Sequence, residues 1–380
     1  MSVSRSLGKV LRGVARRLGY KSHRFDFFAS ESVPDVPAER YSPSYARAKV
    51  AETIVPKMGF CATPLSAHEW QGQAKEKLRE LIGEFGDCAG PKTSALIWSA
   101  HDKVGTYKKF LCTDERGVPI PMYLCEPFQK RESRGWIICV QGHNSGMHNS
   151  IGVDFDQENF RYDVAKGSEF VKWCFQHGFS TLCVEQSCFG TRAEKHQAKR
   201  SPHPCHDAAL GALVLGRTLM GERLSDIKIA IGFLKKLCQD NGETPYIGIM
   251  GNSLGGSLAI YANALIDDLQ FAIAGSCAAS FEESLLKIYH CADLYIPRIR
   301  QFFEFGDILG MSAPKPVVVI QGKQDPIFPI SACVSEIESA QKVFEAFGAE
   351  DHLVLKIGDL GHQFYSKLAS EAINELGSRM

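Results

Sequence analysis

The sequence lacks several features that would assign it to a class at once. Its 43 Lys and Arg residues balance 43 Asp and Glu residues, so no net charge draws the chain to nucleic acid. No apolar run approaches the roughly 18 residues of a membrane-spanning helix, and no segment near Met1 has the pattern of a secretory signal. Internal repeats are absent as well. We therefore expect a soluble, cytoplasmic protein with a small-molecule substrate, no nucleic-acid partner and no membrane span, and leave homo-oligomerisation open.

The 13 cysteines are odd in number and irregularly spaced. Several lie inside apolar runs, such as Cys139 and Cys183, where a reduced thiol packs as a small hydrophobe. This pattern favours a reducing compartment. One short segment is rich in metal-ligand residue types: His203, Cys205, His206 and Asp207. Its spacing matches no zinc pattern, so we predict neither a metal nor another cofactor.

The sequence predicts two regions. Residues 1–91 are expected to form a helical extension packed on the core, and residues 92–380 a catalytic domain. The extension begins with a basic stretch up to Arg24, which suits a packed helix, a transit segment or a surface-bound amphipathic helix. Ser66, followed three residues later by Glu69, predicts a capping box at the start of a helix.

The catalytic domain begins with a predicted hairpin at 107–113 and 120–126. Short apolar runs follow, each leading into a helical pattern. These predicted strands are 136–140, 181–184, 246–250, 271–274, 317–320 and 353–357. The predicted helices are 167–177, 220–237, 255–265, 333–347 and 364–376. Alternation of buried strands with helices indicates an α/β fold, with a doubly wound, mostly parallel sheet and antiparallel leading strands.

A serine lies between one of these strands and its helix. Gly251, Ser253 and Gly255 fit the Gly-x-Ser-x-Gly pattern of a nucleophile elbow. The small residues let strand and helix approach closely, and the helix start directs N–H groups at developing negative charge. We predict that Ser253 is the nucleophile.

A serine nucleophile needs a base and a group that orients the base. In folds with this elbow the acid and then the histidine follow the serine along the chain. Asp325 and His362 each follow a predicted strand, which predicts Asp325 as the acid and His362 as the base. Three other residues are alternatives for the acid or the base. Asp359 is close to His362 in the sequence and is expected to cap the loop instead. His352 opens a strand, and His290 lies in an insertion.

The loop after the first parallel strand, residues 141–146, suits an oxyanion hole because it is rich in small residues. We predict the backbone N–H groups of Leu254 and His143 as donors, with Asn144 as the alternative to His143.

Polar residues after the strands also predict substrate contacts. Asn144 follows one strand, and Glu185 and Arg192 follow the next. These three side chains are expected at the substrate, and an ion pair between Glu185 and Arg192 is the alternative.

An ordered set of short segments resembles one family. The segments are Gln141-Gly142-His143-Asn144-Ser145-Gly146, Gly190-Thr191-Arg192, Cys205-His206-Asp207, 215–221, 251–256, Tyr295-Ile296-Pro297, Gly306-Asp307-Ile308 and 325–330. Together they resemble the α/β-hydrolases named acetyl xylan esterase-like or dienelactone hydrolase-like. The resemblance covers the chain from about residue 92 and implies the α/β-hydrolase fold with Ser253, Asp325 and His362 as its triad.

Two departures from that family bear on the substrate. Dienelactone hydrolases place a cysteine at the elbow, where this chain has Ser253, which favours an ordinary ester over an enol-lactone. Esterases that deacetylate xylan carry a glutamine after the serine and a His-Glu pair at the base, where this chain has Leu254 and His362-Gln363. We expect a serine esterase for short, acetyl-type acyl groups that is not a xylan deacetylase. The alternatives are a lyase or decarboxylase on the same scaffold, a thioesterase or peptidase, and a silent binding protein.

An insertion at 278–305 carries several aromatic residues. It is expected either to cover the site as an aromatic lid or to pack against the core.

Overall fold

The computed structural model describes residues 37–83, 90–129, 134–143, 145–154, 157–158, 160–161, 163–164, 167–195 and 203–377. The basic stretch up to Arg24 and the site candidate Asn144 lie outside the described residues. The chain divides into two compact units, residues 1–46 and residues 47–380. The predicted boundary between residues 91 and 92 stays a prediction. None of the described helices is both long and apolar enough to cross a membrane.

The second unit is built on one nine-stranded sheet. Its strands are β1 Thr93–His101, β2 Gly105–Thr113, β3 Pro119–Pro127, β4 Trp136–Val140, β5 Ser180–Val184, β6 Ile247–Asn252, β7 Phe271–Gly275, β8 Val317–Gly322 and β9 Leu353–Gly358. Their order across the sheet is β1-β2-β3-β5-β4-β6-β7-β8-β9. The pairs up to β3–β5 are antiparallel and the others are parallel. The predicted mostly parallel sheet with antiparallel leading strands is confirmed.

Strand β1 was not predicted from the sequence. It is an edge strand and is not buried like a core strand. It pairs with β2 through backbone hydrogen bonds, yet most of its residues are exposed, including Leu96 and Ile97. Apolar residues on an exposed edge strand give no periodic signal that separates them from a loop.

The described helices, with short 3₁₀ and π turns between them, connect these strands. They are α1 Pro43–Ala51, α2 Ala67–Ile82, α3 His148–Ile151, α4 Phe170–Gln176, α5 Pro204–Val214, α6 Leu219–Asp240, α7 Leu254–Leu265, α8 Ile299–Phe302, α9 Phe305–Gly310, α10 Ile330–Ala346 and α11 Ser366–Leu376. Helix α2 begins with the predicted capping box, in which Ser66 Oγ accepts from the N–H of Glu69 and the Glu69 carboxylate accepts from the N–H of Ser66.

The apolar core lies on both faces of the sheet. In β4, Ile138 and Val140 belong to one cluster and Ile137 and Cys139 to the other, as expected when successive side chains point to opposite faces. A strand buried on both faces reads as a continuous apolar run, which is why the central strands were recognisable in the sequence.

The insertion after β7 packs most of its aromatic side chains inward. Phe281, Phe302 and Phe303 are buried in the core, whereas Tyr289 is 71% exposed. The three phenylalanines therefore fix the insertion to the sheet and its helices.

A buried carboxyl group joins α10 to α9. Glu336 on α10 is 5% exposed, and its Oε2 accepts a hydrogen bond from the N–H of Gly306 at 2.5 Å. Burial, together with the negative charge of Glu304, raises the pKa of Glu336 to about 8. The protonated form is therefore the one that the fold favours.

We expect Glu336→Gln to stabilise the protein at alkaline pH. The folded-state pKa of Glu336 exceeds the unfolded value of about 4.3, so the wild type loses stability as the pH rises from about 5 to about 8. The glutamine keeps an acceptor for Gly306 without ionising. Its free energy of unfolding should exceed that of the wild type near pH 9 by on the order of 1 kcal/mol, measured by urea unfolding. The exposed control Glu338→Gln should show no such gain; equal pH profiles for wild type and Glu336→Gln would contradict the assignment.

Candidate functional site

Ser253 occupies a sharp turn between β6 and α7. Its φ of 58° lies in a region that residues other than glycine rarely adopt. Its N–H donates to the carbonyl of Gly275 at 2.8 Å, which fixes the turn to β7. A Cβ atom at Gly251 would overlap the backbone of Gly255, and one at Gly255 would overlap the carbonyl of Val140. Only glycine at both positions allows this close packing.

Asp325 and His362 form a hydrogen-bonded pair. Asp325 Oδ2 lies 2.8 Å from His362 Nδ1, and the Asp325 side chain is fully buried. Its Oδ1 accepts from the N–H groups of Ile327 at 2.9 Å and Phe328 at 3.1 Å. Burial acts to raise the pKa of Asp325, but the hydrogen bonds from His362 and the two N–H groups outweigh it and hold the pKa below its ordinary value. Asp325 is thus held ionised against the imidazole, and a carboxylate there favours the tautomer with its proton on Nδ1.

Ser253 and His362 line one cavity of about 650 Å³. The loop after β4 forms part of its wall, and a Cβ atom at Gly142 would lie 3.3 Å from Ser253 Cβ. Leu254 and His143 line the same cavity. A larger cavity of about 810 Å³ has none of these residues in its described lining, so we place the candidate site in the smaller one.

The rival residues take other positions. His290 lines the cavity, and its Nε2 lies 2.8 Å from the hydroxyl of Ser284. His352 Nδ1 lies 2.6 Å from the carbonyl of Pro314. Asp359 is exposed. The hydrogen bond to His362 Nδ1 comes from Asp325 and not from Asp359.

Glu185 and Arg192 have partners within the protein. The Glu185 carboxylate is buried and accepts from the N–H groups of Met147 at 2.8 Å and Thr191 at 3.0 Å. Arg192 donates to Asp226 Oδ2 at 2.6 Å and to the backbone carbonyl of Glu185 at 2.9 Å. Neither residue belongs to the described lining of the 650 Å³ cavity. Their predicted substrate contact stays a prediction, and these partners argue against it.

Sequence reasoning missed two residues, Asp293, which lines the cavity, and Arg223, which forms an ion pair with it. Asp293 Oδ2 lies 3.1 Å from His143 Nδ1 and 3.1 Å from Arg223 Nη2, and both missed side chains are fully buried. Burial acts to lower the pKa of His143, but hydrogen bonds with Asp293 and Cys205 outweigh it and raise the pKa to about 9. The available signal was the position of Arg223 on the apolar face of helix α6, between Met220 and Ile227, because a buried guanidinium requires a partner.

The contiguous segment from His203 to Asp207 does not form one cluster. It enters α5, where Cys205 is buried and His206 is exposed. Cys205 Sγ instead lies 3.9 Å from His143 Nε2.

Comparisons with known proteins agree with this architecture. No family model matches the chain. "Putative hydrolase YtaP" of Bacillus subtilis (strain 168) is 22% identical over 218 residues, which are 56% of this chain and 69% of that protein. The crystal structure of a putative acetyl xylan esterase from Bacteroides fragilis NCTC 9343 matches with a TM-score of 0.67 at 14% identity, covering 83% of this chain and 82% of that one. A glucuronoyl esterase from Solibacter usitatus matches with a TM-score of 0.57 at 15% identity, covering 85% and 98%.

The chain has the α/β-hydrolase fold. In this fold the candidate residues lie after three of the parallel strands, with Ser253 after β6, Asp325 after β8 and His362 after β9. The carboxyl ends of parallel strands meet at one edge of a sheet, which is where ligands bind in open α/β proteins.

We expect Gly255→Ala to destabilise the protein because the added methyl group would overlap the end of β4. The free energy of unfolding should fall by about 1–3 kcal/mol. Gly72→Ala is the matched control, since a Cβ atom there meets nothing within 4 Å. That change, inside helix α2, should raise stability by about 0.5–1 kcal/mol. Urea unfolding of both variants tests the pair, and equal effects would contradict the packing argument.

Proposed function

We propose that the protein is a serine esterase that cleaves carboxylic esters of small molecules through Ser253, His362 and Asp325. The observation that carries the proposal is the 2.8 Å contact of buried Asp325 with His362, whose ring lines the cavity that also contains the constrained Ser253. The structural neighbours, a putative acetyl xylan esterase and a glucuronoyl esterase, support ester hydrolysis.

The proposed reaction has two steps. His362 Nε2 removes the proton of Ser253 while the serine oxygen attacks the ester carbonyl, and Asp325 stabilises the imidazolium that forms. The N–H groups of Leu254 and His143 bind the oxyanion, each contributing about 3 kcal/mol to the lowering of the barrier. His362 then protonates the leaving alcohol, and water releases the acyl group from Ser253 by the same sequence.

A small cavity beside α7 supports the proposal that the acyl group is short. It measures about 20 Å³, its lining includes Ser257, one helical turn beyond Ser253, and it shares Leu294 with the main cavity. Aromatic side chains, among them Phe281 and Phe328, form part of its other walls. We propose that an acetyl-type group lies on the serine side of Leu294, and that this wall blocks longer chains.

We also propose a reducing, cytoplasmic location. None of the cysteines that the structure describes forms a disulfide, and most of them are buried.

Fluorophosphonate labelling and p-nitrophenyl acetate turnover test the triad. We expect labelling of the wild type and its loss in Ser253→Ala and His362→Ala, with turnover reduced by about 10³-fold or more. Ser145→Ala, which changes another serine of the same cavity, is the matched control and should keep labelling and turnover. A wild type that neither labels nor hydrolyses any ester, or labelling that persists in Ser253→Ala, would refute the proposal.

The acyl-length proposal predicts a shift in Leu294→Ala. Removing this side chain should join the two cavities, so the ratio of kcat/KM for p-nitrophenyl hexanoate to that for acetate should rise by about tenfold, about 1.4 kcal/mol. Leu286→Ala, a 40% exposed leucine of the same insertion, is the control and should leave the ratio unchanged. The same ratio in Leu294→Ala and the wild type would place the acyl group elsewhere.

A further inference from the structure

We propose that His143, Cys205, Cys291 and Asp293 form a binding site for Zn²⁺ at the wall of the active-site cavity. One ligand atom from each of these four side chains lies within 4.8 Å of the other three. Two thiolates, an imidazole and a carboxylate are donors that suit zinc, which takes four such ligands in a tetrahedron.

Three separate parts of the chain bring these donors together. His143 lies in the loop after β4, Cys205 in the first turn of α5, and Cys291 and Asp293 in the insertion. Cys205 Sγ lies 3.9 Å from His143 Nε2 and within 4.8 Å of Cys291 Sγ. Tetrahedral zinc, with Zn–S near 2.3 Å and Zn–N near 2.0 Å, requires a sulfur–nitrogen separation of about 3.5 Å. This sulfur–nitrogen pair therefore needs to close by only a few tenths of an ångström, and the other donor pairs, all within 4.8 Å, by up to roughly 1–1.5 Å.

An unsatisfied buried atom is independent support for a ligand. Asp293 is 2% exposed, yet its Oδ1 has no hydrogen-bond partner among the residues that the structure describes. Leaving a buried carboxylate oxygen unpaired is costly. A cation bound to Oδ1 removes that cost, while Oδ2 keeps its contact with Arg223 at 3.1 Å.

The charges of the site favour a divalent cation. With both thiols ionised and the His143 imidazole neutral, as metal binding requires, Cys205, Cys291 and Asp293 carry one negative charge each, and Arg223 compensates one of them. A divalent ion neutralises the remainder, which a buried site requires. Arg223 is itself fixed, because its guanidinium stacks 4.4 Å from the centre of the Phe189 ring and donates to the carbonyl of Ser187.

The proposed ion would connect three parts of the chain, and this suggests a structural role. It would hold the loop of His143 to α5 and to the insertion, next to the cavity that contains Ser253. The proposed acyl transfer takes place on Ser253 and His362 without the ion. The site is therefore structural, and its presence does not depend on the esterase proposal.

Cobalt titration of the full-length, chelator-treated and reduced protein tests the site. We expect a thiolate-to-Co²⁺ charge-transfer band and the strong visible absorption of tetrahedral Co²⁺, saturating at about one ion per chain and abolished by added Zn²⁺. Cys205→Ser and Cys291→Ser should each weaken the charge-transfer band, and the double variant should lose it. Cys188→Ser removes a buried thiol outside the four-residue set and should keep the full spectrum.

Circular dichroism would reveal a variant that fails to fold. The cobalt titration of the wild type then tests the proposal by itself. Absence of a cobalt spectrum in the reduced wild type, or an unchanged spectrum in a folded double variant, would overturn the proposal. A Cys205–Cys291 disulfide in the protein as purified, with no Co²⁺ bound after reduction, would likewise replace the metal site with a redox pair.

Discussion

The backbone turn at Ser253 is the constraint on which the site depends. A left-handed conformation at a residue other than glycine costs roughly 1–3 kcal/mol, and it persists only where the surrounding packing imposes it. Here that packing is the contact of α7 with the end of β4, where Gly255 touches the carbonyl of Val140. The same contact brings the loop that follows β4 against the serine. The strained turn and the wall of the cavity are thus two results of one helix–strand approach.

The sequence contains enough information to predict this part of the molecule. Strands buried on both faces read as uninterrupted apolar runs, and the residues that follow them must lie at one edge of a parallel sheet. The spacing of Ser253, Asp325 and His362 along the chain therefore determines their neighbourhood without any knowledge of the helices. The contact of Asp325 with His362 follows from the adjacency of β8 and β9. Their catalytic roles stay proposals.

Local spacing could not predict the cluster around Asp293. Successive residues of a helix point about 100° apart, so Cys205 and His206 diverge although they are neighbours in sequence. Cys205 meets His143 and Asp293, which are far away along the chain and belong to irregular segments. Hydrophobic periodicity places regular elements, and it carries no information on how an insertion folds over a sheet. For the same reason the sequence did not reveal that most of the aromatic residues of the insertion are buried.

Asp293 links the insertion to the loop after β4 and to helix α6. Its carboxylate binds His143, from the loop beside Ser253, and Arg223, from the core of α6. A half-satisfied buried polar network is less stable than an apolar core, so such a group persists where it positions something. What Asp293 holds is the side chain of His143, whose backbone N–H is one of the two proposed oxyanion donors. Through this contact the insertion is joined to the loop after β4.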